Sequence, residues 1–282
     1  MSDGAEALLS ELGRTDGVTL PLAETALAFA RLDRPEVDPE GYRAHLDQLA
    51  DELAAELGGV TAPPLKERVR ALVQVMVGNH GYQGDGATYD DLANADLMRV
   101  IDRRRGLPVA LGILYIHAAR AQGWRAGGLN FPGHFLIRID AGSERAILDP
   151  FAGGELRSAA QLRKLMQLLG GGRGDDKTST ELRPEHYQVV ADRDVLLRLQ
   201  NNIKLRLLQA GGSEAAFEVL RRMRLLAPRH ADLWRETGML ANHLGRLTAG
   251  IAALETALSL DPTAEWRHEA ALLLQQLKGR LN

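Results

Sequence analysis

Between Leu20 and about Leu57 apolar residues return every three or four positions, in LAETALAFARL and again in YRAHLDQLADELAAEL. That spacing predicts two helices of a small cap, with Pro21 near one start and Pro35 and Pro39 between them. A third helix is predicted from about Pro64 to Val77, stopped by Gly78, and a fourth around Leu97 to Arg103. The polar loop GDGATYDDLANADL separates them. LPVALGILYIHAARAQG, Leu107 to Gly123, is apolar on nearly every face, as a helix running through a core must be. Pro108 suits its first turn and Gly123 its end. Beyond it, WRAGGLNF, HFLIRID and RAILDPF supply the strands. Helices first and a small antiparallel sheet afterwards make an α+β domain.

The texture changes after LGGGRGDDKTSTELRP, a Gly-rich and charged run that suits a connection between domains. Pro228 and Pro262 lie 34 residues apart, each behind a helical stretch, EAAFEVLRRMRLLAP and AGIAALETALSLDP. With ADLWRETGMLANHLGR as the partner helix, Trp234, Gly238, Gly250, Leu254, Ala257 and Pro262 follow the large and small pattern of a tetratricopeptide repeat. Asp192–Ala210 and Glu265–Leu281 are expected to complete or cap the stack. The organisation expected is a flexible N-terminus over 1–19, a first domain over 20–168, a linker over 169–184 and an all-α repeat domain over 185–282.

In FPGHFLIRIDAGSERAILDP, a hairpin folded symmetrically about Ala141 and Gly142 would set His134 opposite Asp149 on one face. An imidazole oriented by a carboxylate is two-thirds of a nucleophilic triad. The composition withholds the usual third member. Cysteine is absent from all 282 residues, which removes thiol catalysis and thiolate metal sites. The nearest serine, Ser143, falls at the hairpin tip, away from the pair.

With 34 Lys and Arg against 37 Asp and Glu, the net charge of -3 gives no bulk attraction to nucleic acid or anionic lipid. An acidic N-terminus and the lack of a long apolar run point to a cytoplasmic protein without a membrane partner. The aspartates of the polar loop do not follow a calcium-loop order, and His80, His117 and His186 lack metal-ligand spacing. No metal and no cofactor are expected. GGGRG, Gly170 to Gly174, lacks the Lys and Ser or Thr of a phosphate loop.

NHGYQGDGATYDDLANADLMRVIDRRRGLPVALGILYIHAARAQGW, then FPGHFLIRID, then ILDPFAGGELRS together resemble the transglutaminase-like superfamily, and specifically the SirB1 family, in which such a domain precedes tetratricopeptide repeats. The resemblance implies a papain-like fold with its nucleophile at the start of the core helix. Matching Arg120 and Gly123 to the end of that helix puts the family cysteine at Pro108 or Val109, neither of which can attack a carbonyl. His134 and Asp149 match the family His and Asp and remain as a vestigial pair.

The expectation is therefore a non-catalytic, regulatory protein that binds a protein or peptide. Its cleft would be flanked by Arg104, Arg105, His134 and Asp149, with Asn79, Tyr89 and Asn94 ordering the adjoining loop. The arginine run either stands as a solvated helix end that complements the dipole, or turns Arg104 or Arg105 inward onto Asp90, Asp91, Asp96 or a partner's C-terminus. Two rivals stand beside it. His134 could activate a water for amide or ester hydrolysis, or the repeats alone could carry the binding.

Overall fold

The computed structural model describes residues 3–15, 17, 19–169 and 181–281. It divides into two compact units, one of Val18–Leu199 and one of Met1–Gly17 with Gln200–Asn282. The first helix, α1 (Asp3–Arg14), belongs to the second of these units.

In the unit Val18–Leu199, α2 (Leu22–Asp33) and α3 (Glu40–Glu56) start behind Pro21 and Pro39, as their spacing predicts. The predicted third helix is α-helical only as α4 (Leu65–Val73) and then widens to a π-helical turn over Gln74–Asn79. In that turn a Cβ on Gly78 would stand 2.5 Å from the Gln74 amide nitrogen, which donates to Asn79 Oδ1 at 3.0 Å. Two short strands that periodicity does not reveal, β1 (Gln83–Gly84) and β2 (Arg105–Gly106), pair in parallel on either side of α5 (Leu97–Arg103).

α6 (Pro108–Ala121) is the core helix, with Pro108 through Ile116 all buried. It meets a four-stranded antiparallel sheet of order β3 (Arg125–Gly128), β4 (Ile137–Ala141), β5 (Glu144–Asp149) and β6 (Glu155–Leu156). Helix and sheet approach closely at Gly112, where a Cβ would sit 2.4 Å from the Phe135 ring. The β4–β5 turn is centred on Gly142 and Ser143, with Ala141 opposite Glu144. That is one position beyond the symmetric turn expected at Ala141 and Gly142, and Gly142 supplies the positive φ of 62°.

α7 (Ala159–Leu168) follows the sheet, opened by a Ser158–Gln161 capping box. The proposed linker, including Gly170 to Gly174, falls largely outside the described residues. The first turns of α8 (Asp192–Gln209), up to Leu199, fall with this unit rather than with the repeats. Asp192 explains why: its carboxylate takes both arms of Arg120 at 2.6 and 2.9 Å and the Leu20 N–H at 2.7 Å.

The other unit stacks α9 (Ser213–Leu226), α10 (Ala231–His243), α11 (Leu247–Leu260) and α12 (Arg267–Leu281). Small residues stand where helices touch: a Cβ on Gly238 would lie 2.5 Å from Leu254, and one on Gly250 3.0 Å from Leu277. The Trp234 indole donates to the Pro228 carbonyl at 2.7 Å, fixing the turn into α10. The segment expected to be flexible is instead α1, packed on α9. Leu9 is fully buried, Glu6 pairs with Arg221, and Gly13 lies so close that a Cβ would overlap the Leu225 carbonyl. No helix among the described residues is long and apolar enough to cross a membrane.

Candidate functional site

His134 and Asp149 do meet. Nε2 of His134 donates to Asp149 Oδ1 at 2.9 Å. The contact is made outside the β4–β5 ladder, which begins at Ile137↔Leu148, because His134 sits in the turn that precedes β4. Its own carbonyl is held there by Arg198, 2.7 Å away.

Asp149 closes β5 and starts a 3-10 turn. Its Oδ1 also accepts the N–H groups of Phe151 and Ala152, at 3.1 and 3.3 Å. The chain then reverses through Gly153 and Gly154, both at positive φ, and β6 returns beside β5. That reversal delivers Arg157, whose Nε and Nη2 fork onto Asp149 Oδ2 at 3.2 and 2.8 Å. Burial pulls the Asp149 pKa upward, but the hydrogen bond and charge of His134, followed by those of Arg157, outweigh it and hold the carboxyl below its ordinary value. The carboxylate is ionised and fully engaged.

Phe151 floors the neighbourhood. His134 meets its ring edge-on at 6.3 Å between centroids, and Tyr89 does so from the polar loop at 5.8 Å. Gly84 of β1 lies so near that a Cβ would stand 2.5 Å from the same ring. Beneath, the Tyr115 hydroxyl of α6 is fully buried and makes no hydrogen bond among the described residues. Burial, and then the Asp149 charge, raise its pKa, so it stays protonated.

At the start of α6 the structure offers only Leu107, Pro108 and Val109, all buried. Ser143 stands in the turn at the far end of β5 from Asp149. The His134 imidazole, by contrast, keeps 14% of its side-chain surface open, and among the described residues its Nδ1 makes no hydrogen bond.

The other residues expected at the cleft separate into two groups. Asn94 is buried and joins the polar loop to α5: its amide donates to the Thr88 carbonyl at 2.6 Å, and Arg103 reaches its Oδ1 at 3.3 Å. Arg103, not Arg104 or Arg105, forks onto the loop's carboxylates, at 2.9 Å from Asp85 and 3.7 Å from Asp91. Hydrogen bonds from the Thr88 hydroxyl and N–H, aided by the Arg103 charge, hold Asp85 down at about 2. Asp96 instead caps α5 by accepting the Arg99 N–H.

Arg104 ends α5 in the left-handed region, at φ 56°, and turns the other way. Its guanidinium lies 5.0 Å over the Tyr82 ring and donates to the Tyr82 hydroxyl and to His45 Nε2. Arg105 is exposed on β2. Asn79 bonds Glu52 and Gln74, beside a His80–Glu52 pair at 2.9 Å. The partners of Arg104 and Asn79 are thus not those of the His134–Asp149 pair.

A transglutaminase-like superfamily model matches residues 40–201, more than half of the chain, and a tetratricopeptide repeat model matches 203–275. The chain belongs to the transglutaminase-like superfamily. This transglutaminase-like chain is 30% identical over 258 residues to a UPF0162 protein of Xylella fastidiosa, covering 91% of this chain and 89% of that one. A UPF0162 protein of Vibrio cholerae is 32% identical over 191 residues, 67% of each chain. The mouse F-box only protein 21 is 30% identical over 148 residues, half of this chain and 22% of that protein. The SirB1-like order, transglutaminase-like domain and then repeats, holds from one end of the match to the other.

Sequence reasoning brought His134 and Asp149 together but missed Arg157, Phe151 and Tyr115. The spacing of DPFAGGELR carries the signal for the first two: an Asp that caps a tight turn, two glycines able to reverse the chain, and an Arg placed to return onto the same carboxylate.

Proposed function

We propose that the protein is a non-catalytic transglutaminase-like protein that binds a protein or peptide segment beside the His134–Asp149–Arg157 group. The observation that carries this reading is the start of α6. Where the superfamily chemistry needs a nucleophile, Leu107, Pro108 and Val109 are apolar and buried, and no cysteine exists elsewhere in the sequence. Asp149, with five donors on its two oxygens, acts as a structural hub that ties the turn before β4 to the β5–β6 reversal. Tyr89 and the open edge of His134 form the accessible rim, and tetratricopeptide repeats supply a second surface of a kind used for protein docking. A photo-cross-linking amino acid placed at Tyr89 in the full chain tests the reading. Discrete adducts at Tyr89 that are absent with the same probe at the exposed Arg145 support it, and identical patterns at both positions contradict it.

A second reading, hydrolysis of an amide or ester by water activated at His134, rests on its Nδ1, which makes no hydrogen bond among the described residues. It requires that turnover vanish in His134→Ala.

A further inference from the structure

The strands β3 and β4 show two unlike faces. Ala126, Ile137 and Ile139 turn into the core and are buried. The alternate positions, Arg125, Gly127, Arg138 and Asp140, share the opposite face. That face opens into a hollow of about 560 Å³, bounded on one side by Arg120 and Trp124 at the end of α6 and on the other by Val189. Its size falls within the range of small-molecule sites, roughly 300–1,000 Å³.

The charges in the hollow are unevenly satisfied. Arg125 and Asp140 stand directly across from each other in the ladder, the arrangement that ordinarily makes a cross-strand ion pair. The pair does not form, because Arg138 takes both Asp140 oxygens, at 2.9 and 3.0 Å, and anchors its remaining arm on the Tyr187 carbonyl at 2.8 Å. Arg120 is equally committed, to Asp192 with both arms and to the Ala126 carbonyl with Nε. It also lies in the last turn of α6, where a cation answers the helix dipole.

Arg125 lies beyond that turn and is exposed, and its guanidinium makes no hydrogen bond or ion pair among the described residues. Of the three guanidinium groups that line the hollow, Arg120 is held by Asp192 and Arg138 by Asp140, and Arg125 is left over. The two fixed arginines still have N–H groups to spare, since each guanidinium carries five. Beside them the wall is apolar. The place a side chain at Gly127 would fill is taken by Val189, whose methyl would be 2.3 Å from such a Cβ, while Trp124 at the other end is buried with the Arg68 guanidinium 5.1 Å over its ring.

We propose that this hollow is a binding site for an organic oxyanion, a carboxylate or phosphate carried on an apolar body, with Arg125 as the recognising cation. The anion meets the uncompensated charge of Arg125 and the spare N–H groups, and the apolar body lies along Val189. The site belongs to the β3 end of the sheet, two strands from Asp149, and is independent of the partner-binding reading.

Calorimetric titration of the full chain at constant ionic strength with phenyl phosphate, benzoate and inorganic phosphate tests it. Saturable binding of phenyl phosphate or benzoate, tighter than that of inorganic phosphate, is expected, and the tighter of the two identifies the anion. Arg125→Gln should weaken it about tenfold or more, the effect of losing one charged hydrogen-bonding partner. Arg125→Lys, which keeps the charge and loses the fork, should fall between. Both variants should melt with the unmodified chain in the absence of ligand, since Arg125 holds nothing in place. No saturation with either aromatic anion by about 10 mM, or equal affinity in Arg125→Gln, overturns the proposal.

Discussion

Asp149→Ala removes the acceptor of five hydrogen bonds at once and leaves the His134 ring and the Arg157 guanidinium facing each other across a buried gap. Breaking a buried ion pair by deleting one partner costs about 3–5 kcal/mol. His134 and Arg157 keep 14% and 18% of their side-chain surfaces open, so both can recover some hydration, which places the loss near the lower end, about 3 kcal/mol. Asp149→Asn can keep its oxygen toward His134 and the Phe151 and Ala152 N–H groups, but then sets an amide N–H₂ against Arg157, and should lose about 2 kcal/mol. Urea unfolding followed by circular dichroism reads both as a shift in midpoint at constant slope.

The double variant Asp149→Asn with Arg157→Leu should cost less than its two parts added together, by about 1 kcal/mol or more. The pH dependence has a definite sign. A carboxyl held below its ordinary value in the folded chain contributes stability above that ordinary value and loses it as pH falls through the folded one, so the unmodified protein should weaken more steeply than Asp149→Asn below about pH 4. A loss under about 1 kcal/mol for Asp149→Ala, the scale of a surface ion pair, would refute the hub.

Gly112→Ala places a methyl 2.4 Å from the Phe135 ring in a packed helix–sheet contact and should destabilise by about 1–3 kcal/mol in the same assay despite the better helix propensity of alanine. His45 is held down at about 4 by burial, then by the charges of Arg104 and His80. The unfolded chain therefore takes up its proton near pH 6.5 and the folded one only near 4, so stability should fall by at most about 3 kcal/mol across that interval. His45→Gln should flatten the slope, and equal slopes would show that His45 is not its source. Gly154→Ala, at φ 74° and with its Cβ 2.8 Å from Val73 and 3.1 Å from the Tyr115 hydroxyl, should lower the melting temperature and loosen the reversal that carries Arg157.

Helices with a clear apolar stripe, and the repeat signature from Trp234 to Pro262, were legible because each depends on spacing along one element. The His134–Asp149 contact was legible too, although the turn lies one position later than symmetry suggests. Moving the centre by one residue shifts each pairing by two, which keeps the same side chains on the same face. Other features needed geometry that spacing does not carry.

Arg103, Arg104 and Arg105 are neighbours in sequence but point three ways, because the left-handed backbone at Arg104 turns the chain between them. Arg157 reaches Asp149 only through the Gly153–Gly154 reversal. β1 and β2, two residues each, are too short to show a period. In α1, Ala5, Leu9 and Gly13 form one stripe that makes sense only when α9 lies against it.

The most direct test is the rate at which the purified full chain hydrolyses a panel of activated esters and peptides, measured beside His134→Ala. The two proteins should show the same background rate and no covalent adduct by mass spectrometry, because α6 begins with Leu107, Pro108 and Val109. Turnover that depends on His134, or an acyl group trapped on any side chain of the Val18–Leu199 unit, would contradict it.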